Sequence, residues 1–450
     1  MREDNTVNSF EVRPDFRSTS RLLCGFFVLV LSGFILSGCA KNPVTGNANF
    51  MMMSQDEGIR TGQKIYPRMT QMNGGELPDR DLQEYVQNLG DQLAAVSHNP
   101  DLPFEFNVVN TSTPNAYALP GGFITVTRGL LLEMDREAQL AGVLGHEIVH
   151  ATARHSAQQQ SQGLVANILL TAGSVYLRTE GVRYGGLYED LGALGAQAYL
   201  ATYSRSQERQ ADRVGMRYAA KAGYDPEGMI GLQEILLRLR EEKPNAVQQI
   251  FSTHPLSEER IQDARDQLEE IRSEVDGSNQ NRLQKFQTIV AETWKPRKPA
   301  YEHLDEGIRK LEKGRVQPAL EAFRTARERF DEGPLIRAWY GRALTEAGRW
   351  KEGRRELNRA LSIDADNYRV RLFSGINYLR LGKHARSLED LNEADRLLEG
   401  TPPVLFFKGR NYEELGNREQ AAELYIQYLK RVPEGEQASY ARARLRDWGY

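Results

Sequence analysis

Apolar positions along the chain change their spacing repeatedly, and each change marks an element. Leu22 to Ala40 is almost wholly apolar or small, with Arg13, Arg17 and Arg21 ahead of it. From Gln55 to Met72 and from Leu77 to Ala95 apolar residues recur at helical spacing, with Asn73-Gly74-Gly75 between the two helices. Phe104 to Val109 alternates and Gly122 to Thr127 is rich in β-branched residues, which predicts two strands, with a turn or edge segment over Asn115 to Gly122. In Arg136 to Ala157, Leu140, Val143, Leu144, Ile148 and Val149 lie among Glu137, Gln139, Glu147 and Arg154 with no proline, which predicts one helix with one buried face. Further helices are predicted over Arg213 to Lys221 and Glu258 to Ile271. The apolar, glycine- and alanine-rich stretch from Gln162 to Ala201 fits a helical hairpin capping a cleft, or an element dipping into a membrane surface; none of its runs reaches transmembrane length.

Past the polar Ser273 to Gln280 and the break at Lys295-Pro296-Arg297-Lys298-Pro299, the pattern becomes a repeat. Gly314, Gly348, Gly382 and Gly416 recur every 34 residues, and so do Gly307, Gly341, Gly375 and Gly409. The same register aligns small Ala319, Gly353, Ser387 and Ala421, apolar Phe323, Leu357, Leu391 and Tyr425, and Ala326, Ala360 and Ala394. A 34-residue period with small residues where two helices approach is the tetratricopeptide pattern. Four units fit residues 300–435, with a capping helix over 436–450. Such arrays curve into a concave surface that binds peptides or proteins.

The chemistry concentrates in Gly145-His146-Glu147-Ile148-Val149-His150. Two histidines four apart share a helix face and can reach one tetrahedral zinc ion, while Glu147 points at a water on the open position. So short a string also occurs in proteins that bind no metal, so a third ligand decides. Glu208 would complete a two-histidine, one-glutamate site, and Asp212, one turn on, could accept a ring N–H from a ligand histidine and fix its tautomer. Taken alone, the pair would read as a solvated helix face. His155, five residues past His150, rotates off the ligand face and reads as a surface or packing residue. His254, in the loop Ser252-Thr253-His254-Pro255, either stabilises the oxyanion of a tetrahedral intermediate, occupies zinc's open position and holds the enzyme latent, or caps the next helix. Arg260 would neutralise charge nearby, and Met51-Met52-Met53 reads as packing rather than as a soft-metal site.

Together with Glu208 to Asp212, the motifs Asn115-Ala116-Tyr117-Ala118-Leu119-Pro120-Gly121-Gly122, Thr127-Arg128-Gly129-Leu130-Leu131 and Thr253-His254-Pro255-Leu256 with Glu259-Arg260 make residues 42–270 resemble the gluzincin peptidase family typified by the CAAX prenyl protease and the bacterial beta-barrel assembly-enhancing protease. The resemblance implies a mostly α fold: a helical zinc metalloprotease domain with a small β-sheet, followed by an α-solenoid of tetratricopeptide repeats. It implies one Zn²⁺ per chain and a functional His254. It also puts Asn115 against the substrate backbone, where the residue alone reads equally as a turn asparagine. Substrate would lie extended, as an added strand against an exposed edge. The implied role is envelope quality control, clipping misassembled outer-membrane proteins or assisting their assembly.

Lys and Arg number 58 against 61 Asp and Glu, so charge makes no case for a nucleic-acid partner. The basic flank, apolar core and Leu36-Ser37-Gly38-Cys39 read as an export signal, and the ending resembles a bacterial lipobox in which Cys39 is acylated; a retained anchor helix is the alternative. Cys24 lies within the signal, so the mature chain has no second cysteine for a disulfide. Ala40 suggests the outer membrane by analogy with enterobacterial sorting. The expected organisation is a signal over 1–38, a tether over 39–54, the zinc metalloprotease domain over 55–275, a linker over 276–299, the repeats and the cap. The expected protein is a zinc endopeptidase, lipid-anchored on the periplasmic face of the outer membrane or soluble in the periplasm, whose repeats dock protein substrates or the outer-membrane assembly machinery. Two rivals are a chaperone or scaffold with a latched or vestigial site, and a hydrolase of peptidoglycan peptides.

Overall fold

The computed structural model describes residues 39–162, 203–245, 247–274 and 283–450. The export signal and most of the stretch expected as a cleft-capping hairpin lie outside the described residues. Strands β1 (Cys39–Lys41) and β2 (Ala48–Phe50) pair antiparallel, with Cys39 opposite Phe50. The segment 39–54 therefore differs from the free tether expected. Asn42, 1% exposed, closes the turn by accepting from the Val44 and Thr45 amides, and Met51 is buried. Strands of three residues are too short to show periodicity in sequence.

Helix α1 (Gln55–Met72) starts at a capping box: Ser54 accepts from the Glu57 amide and Glu57 from the Ser54 amide. Helix α2 (Arg80–Ala95) is capped by Asp79. Strands β3 (Glu105–Val109), β4 (Ala116–Leu119) and β5 (Phe123–Thr127) form a sheet in the order β3-β5-β4, with β3 parallel and β4 antiparallel to β5. All of β5 is buried, which is why it reads as a β-branched run rather than an alternation. The segment expected as a turn or edge is thus an edge strand, β4, and it packs on the helix that carries the histidines. A single turn, α3 (Arg128–Leu131), leads to α4 (Glu137–Thr152).

Two corrections concern α4. It is buried on every side, with only Ala138 outside the buried set, rather than on one face. It also stops at Thr152: Arg154 takes φ 58°, and a new helical stretch begins at 155. Helices α5 (Arg205–Lys221) and α6 (Glu227–Glu242) pack on α4, α8 (Glu258–Ser273) packs on α5 and α6, and α7 (Gln248–Thr253) adds Ile250 to the same core.

The expected linker is a further correction. Its described part is α9 (Leu283–Phe286), the π-helical Gln287–Trp294 and a 3₁₀ turn, Lys295–Arg297, and it buries Phe286, Val290 and Trp294. The repeats follow as four helix pairs: α10 (Lys298–Glu312) with α11 (Val316–Arg329), α12 (Pro334–Glu346) with α13 (Trp350–Ile363), α14 (Tyr368–Arg380) with α15 (His384–Leu397), and α16 (Pro402–Glu414) with α17 (Arg418–Arg431). Helix α18 (Glu436–Trp448) closes the array. The two glycine series do different work. Gly314, Gly348, Gly382 and Gly416 all have φ between 69° and 76° and end the first helix of each pair. A Cβ on Gly341 would come within 2.7 Å of Leu357, and Gly307, Gly375 and Gly409 meet Phe323, Leu391 and Tyr425 as closely.

The array is docked on the first domain. The loop after α1 receives it: Asn367 Nδ2 donates to the Gly74 carbonyl at 2.8 Å, and Gln71 pairs with the backbone of Asp366 and Tyr368. On α3, the Arg128 guanidinium lies 3.4 Å from the centre of the Tyr301 ring. Among the described residues no helix is long and apolar enough to cross a membrane.

Candidate metal centre

Close helix packing places the candidate ligands. A Cβ on Gly145 of α4 would lie 2.8 Å from the Gly215 carbonyl oxygen of α5, and one on Gly215 would lie 2.8 Å from the His146 nitrogen. Glycine on both sides lets the backbones meet, and this brings Glu208, about two turns before Gly215, up to the histidines. His146, His150, Glu208 and His254 are all buried and each offers a ligand atom within 4.8 Å of the others. The Nε2 atoms of His146 and His150 are 2.9 Å apart, and Glu208 Oε1 is 3.3 Å from His150 Nε2. His254 Nδ1 lies 3.1 Å from Glu208 Oε1 and 3.4 Å from His146 Nε2, so the third histidine joins the cluster rather than capping α8, which Ser257 caps instead.

Asp212 sits where its spacing from Glu208 suggested: its Oδ1 is 3.0 Å from His146 Nδ1. Arg260 grips the same carboxylate, donating from Nε and Nη2 at 2.7 Å each, and its Nη1 lies 2.6 Å from Glu208 Oε2. Glu147 accepts from the Ala118 amide of β4, and its Oε2, like His254 Nε2, is buried without a hydrogen-bond partner. Asn115, 3% exposed, opens β4 through its backbone pairing with Thr127, and its Oδ1 also lacks a partner.

The charges sort themselves by environment. Burial raises the Glu147 pKa, with His254 and His146 opposing. Burial would also raise Glu208, yet His254 and His146 outweigh it and hold that carboxyl well below its ordinary value. At Asp212 the Arg260 guanidinium overcomes burial and lowers the pKa. Burial pushes His150 well below the usual imidazole value, against its bond to Glu208. At His254 burial loses to Glu208 and Glu147, and the pKa rises. Glu208 is therefore anionic and His150 neutral at neutral pH. Two imidazole nitrogens and a carboxylate oxygen converging away from water form a donor set that fits a divalent metal, zinc above all.

Residues 80–268 match the model of peptidase family M48, and residues 304–369 and 408–446 match a tetratricopeptide repeat model. The chain carries an M48 peptidase domain followed by tetratricopeptide repeats. A beta-barrel assembly-enhancing protease from Yersinia pestis is 30% identical over 54% of this chain and 50% of its own length. Its namesake in Escherichia coli is 28% identical over 75% of this chain and 69% of its own. The mitochondrial metalloendopeptidase OMA1 of Schizosaccharomyces pombe is 32% identical over 51% of this chain and 66% of its own. This chain thus spans 50%, 69% and 66% of the length of these three relatives.

The M48 domain contains neighbours of the cluster that the sequence reading missed. Tyr203 stacks on His150, ring centres 3.7 Å apart and planes 21° apart, with its hydroxyl 3.1 Å from Ser156 Oγ. His155 does not rotate away. It is fully buried, its Nδ1 lies 2.9 Å from His150 Nδ1, its Nε2 lies 3.2 Å from Gln210 Oε1, and burial lowers its pKa to about 4. The five-residue spacing misleads because α4 ends before it.

Proposed function

We propose that the chain is a zinc-dependent endopeptidase in which His146, His150 and Glu208 hold one Zn²⁺ and Glu147 is the general base. The observation that carries this reading is the convergence of three ligand atoms from two helices beside a buried carboxylate whose Oε2 has no protein partner. Zinc supplies Lewis-acid polarisation of the scissile carbonyl and of the attacking water. Glu147, with its pKa raised toward the working range, takes the water's proton on Oε2 and returns it to the leaving amine. Asp212 keeps the His146 ring in the tautomer that offers Nε2, and Arg260 holds Asp212. Substrate lies extended along the free edge of β4, close to Asn115 and to the Ala118 amide that already touches Glu147.

His254 acts as a latch, its Nδ1 sharing the ligand cluster and so occupying the position a substrate needs. The repeats, docked against the domain, present protein substrates. Two relatives are named for enhancing beta-barrel assembly, which favours barrel proteins under assembly as substrates, misassembled outer-membrane proteins among them, and the Leu36-Ser37-Gly38-Cys39 motif favours an exported protein lipidated at Cys39 and anchored in the outer membrane on its periplasmic face. The test is casein cleavage by the full chain, by Glu147→Gln and by His254→Ala. Cleavage lost in Glu147→Gln and retained or raised in His254→Ala is the expected result. Loss in His254→Ala with zinc retained would make His254 an oxyanion stabiliser, and wild-type cleavage by Glu147→Gln would overturn the mechanism.

A further inference from the structure

The geometry points to a second orienting device for the zinc ligands, a relay from Gln210 through His155 to His150; it rests on the reading of His146, His150 and Glu208 as a zinc site. An imidazole offers Nε2 to a metal only when its proton sits on Nδ1, so something must accept that proton. For His146 the acceptor is Asp212, 3.0 Å away. His150 has no carboxylate at Nδ1. It faces another imidazole, His155, with the two Nδ1 atoms 2.9 Å apart.

Of two such nitrogens one donates and the other accepts, and the far end of His155 decides which. Its Nε2 lies 3.2 Å from Gln210 Oε1, an amide oxygen that can only accept. His155 therefore carries its proton on Nε2, leaves Nδ1 bare and accepts the Nδ1 proton of His150. The His150 Nε2 lone pair is then turned toward Glu208 and His146. Helix α5 thereby supplies Glu208 to the ligand set and the accepting end of both relays, Asp212 for one histidine and Gln210 for the other.

The backbone is shaped for this contact. His155 can reach back to His150 only because α4 ends and Arg154 turns at φ 58°, the one non-glycine residue with positive φ among those described. The Arg154 side chain secures the turn by donating to the Met53 carbonyl. His155 is a positioning residue: it acts through His150 and leaves substrate untouched.

The experiment strips the purified full chain of metal and measures Zn²⁺ affinity by competition with a chromophoric chelator, alongside imidazole ¹⁵N spectra of the metal-free protein. His155→Phe is expected to weaken zinc binding about 10- to 100-fold, the usual cost of losing a group that orients a metal ligand. Gln210→Leu should weaken it in the same direction, and Gln210→Glu, which can only accept, should keep wild-type affinity. The spectra should place the His150 proton on Nδ1. Should His155→Phe fail to fold, the Gln210 pair and the spectra carry the test. Wild-type affinity in His155→Phe or Gln210→Leu, or the His150 proton on Nε2, overturns the relay provided that His150→Ala has lost zinc. Wild-type zinc binding in His150→Ala would instead overturn the metal site itself.

Discussion

In the repeat array the buried carboxylate of Glu356 meets Arg337 at 2.5 Å and Arg327 at 2.7 Å, whereas in the M48 domain the buried Glu147 keeps Oε2 without a hydrogen-bond partner. The array's solution recurs: one period on, Arg371 pairs with Asp390 at 2.9 Å, and Asp390 also accepts from Ser374. In these two repeats the buried carboxylate is satisfied by arginines from its own helix pair or the adjoining one. The M48 domain gathers three imidazoles and two carboxylates from α4, α5 and the loop before α8, and they compete for the same space. Buried polar groups are ordinarily matched, so a concentrated mismatch marks a ligand or a reaction. The array's polar groups hold a shape, and those of the M48 domain wait for chemistry.

Substitutions can break this contrast from either side. The largest effect is expected at Glu147→Gln. Removing the base while keeping its shape should cut the peptidase rate by about 10²–10⁴-fold, measured on casein, with zinc content and thermal stability unchanged. Next is Glu356→Ala, which strands buried Arg337. It should cost about 3 kcal/mol in urea unfolding while zinc affinity stays at the wild-type value. A stability cost at Glu147 or a zinc effect at Glu356 would erase the distinction between the two regions.

The smallest effect sharpens the contrast from within the array. Burial pushes Asp364, between the array and the M48 domain, up to about 6 despite its bond to Asn367. A carboxyl with a folded pKa above its unfolded value near ~3.9 binds protons more tightly when folded, so stability falls as pH rises from about 4 to about 6. Asp364→Asn should therefore stabilise the protein by about 2 kcal/mol at pH 7.5 and hardly at pH 4, read from unfolding midpoints at the two values. An equal shift at both pH values would show that its charge is not the cause.

Much of this organisation was legible in sequence. The histidine pair, Glu208 and Asp212 follow from helical spacing, because residues four apart share a face whatever surrounds them. The repeats follow from periodicity, and their glycines prove to be turn formers in one series and helix contacts in the other. The rest depended on events with no local signal. His155 reached the site because a helix ended at an arginine in a conformation usual for glycine or asparagine. Tyr203 and Gln210 came to it through tertiary packing. The segment expected as a linker is helical because Phe286, Val290 and Trp294 have a core to enter, and only the folded array and M48 domain together supply that core.

The most direct test of the central claim, that the mismatched cluster is a zinc site, is elemental analysis of the purified full chain beside His150→Ala and Glu147→Gln. About one zinc per chain in the wild type and in Glu147→Gln, and essentially none in His150→Ala, is the expected result. A wild-type chain without zinc, or a His150→Ala chain that keeps it, would contradict the account.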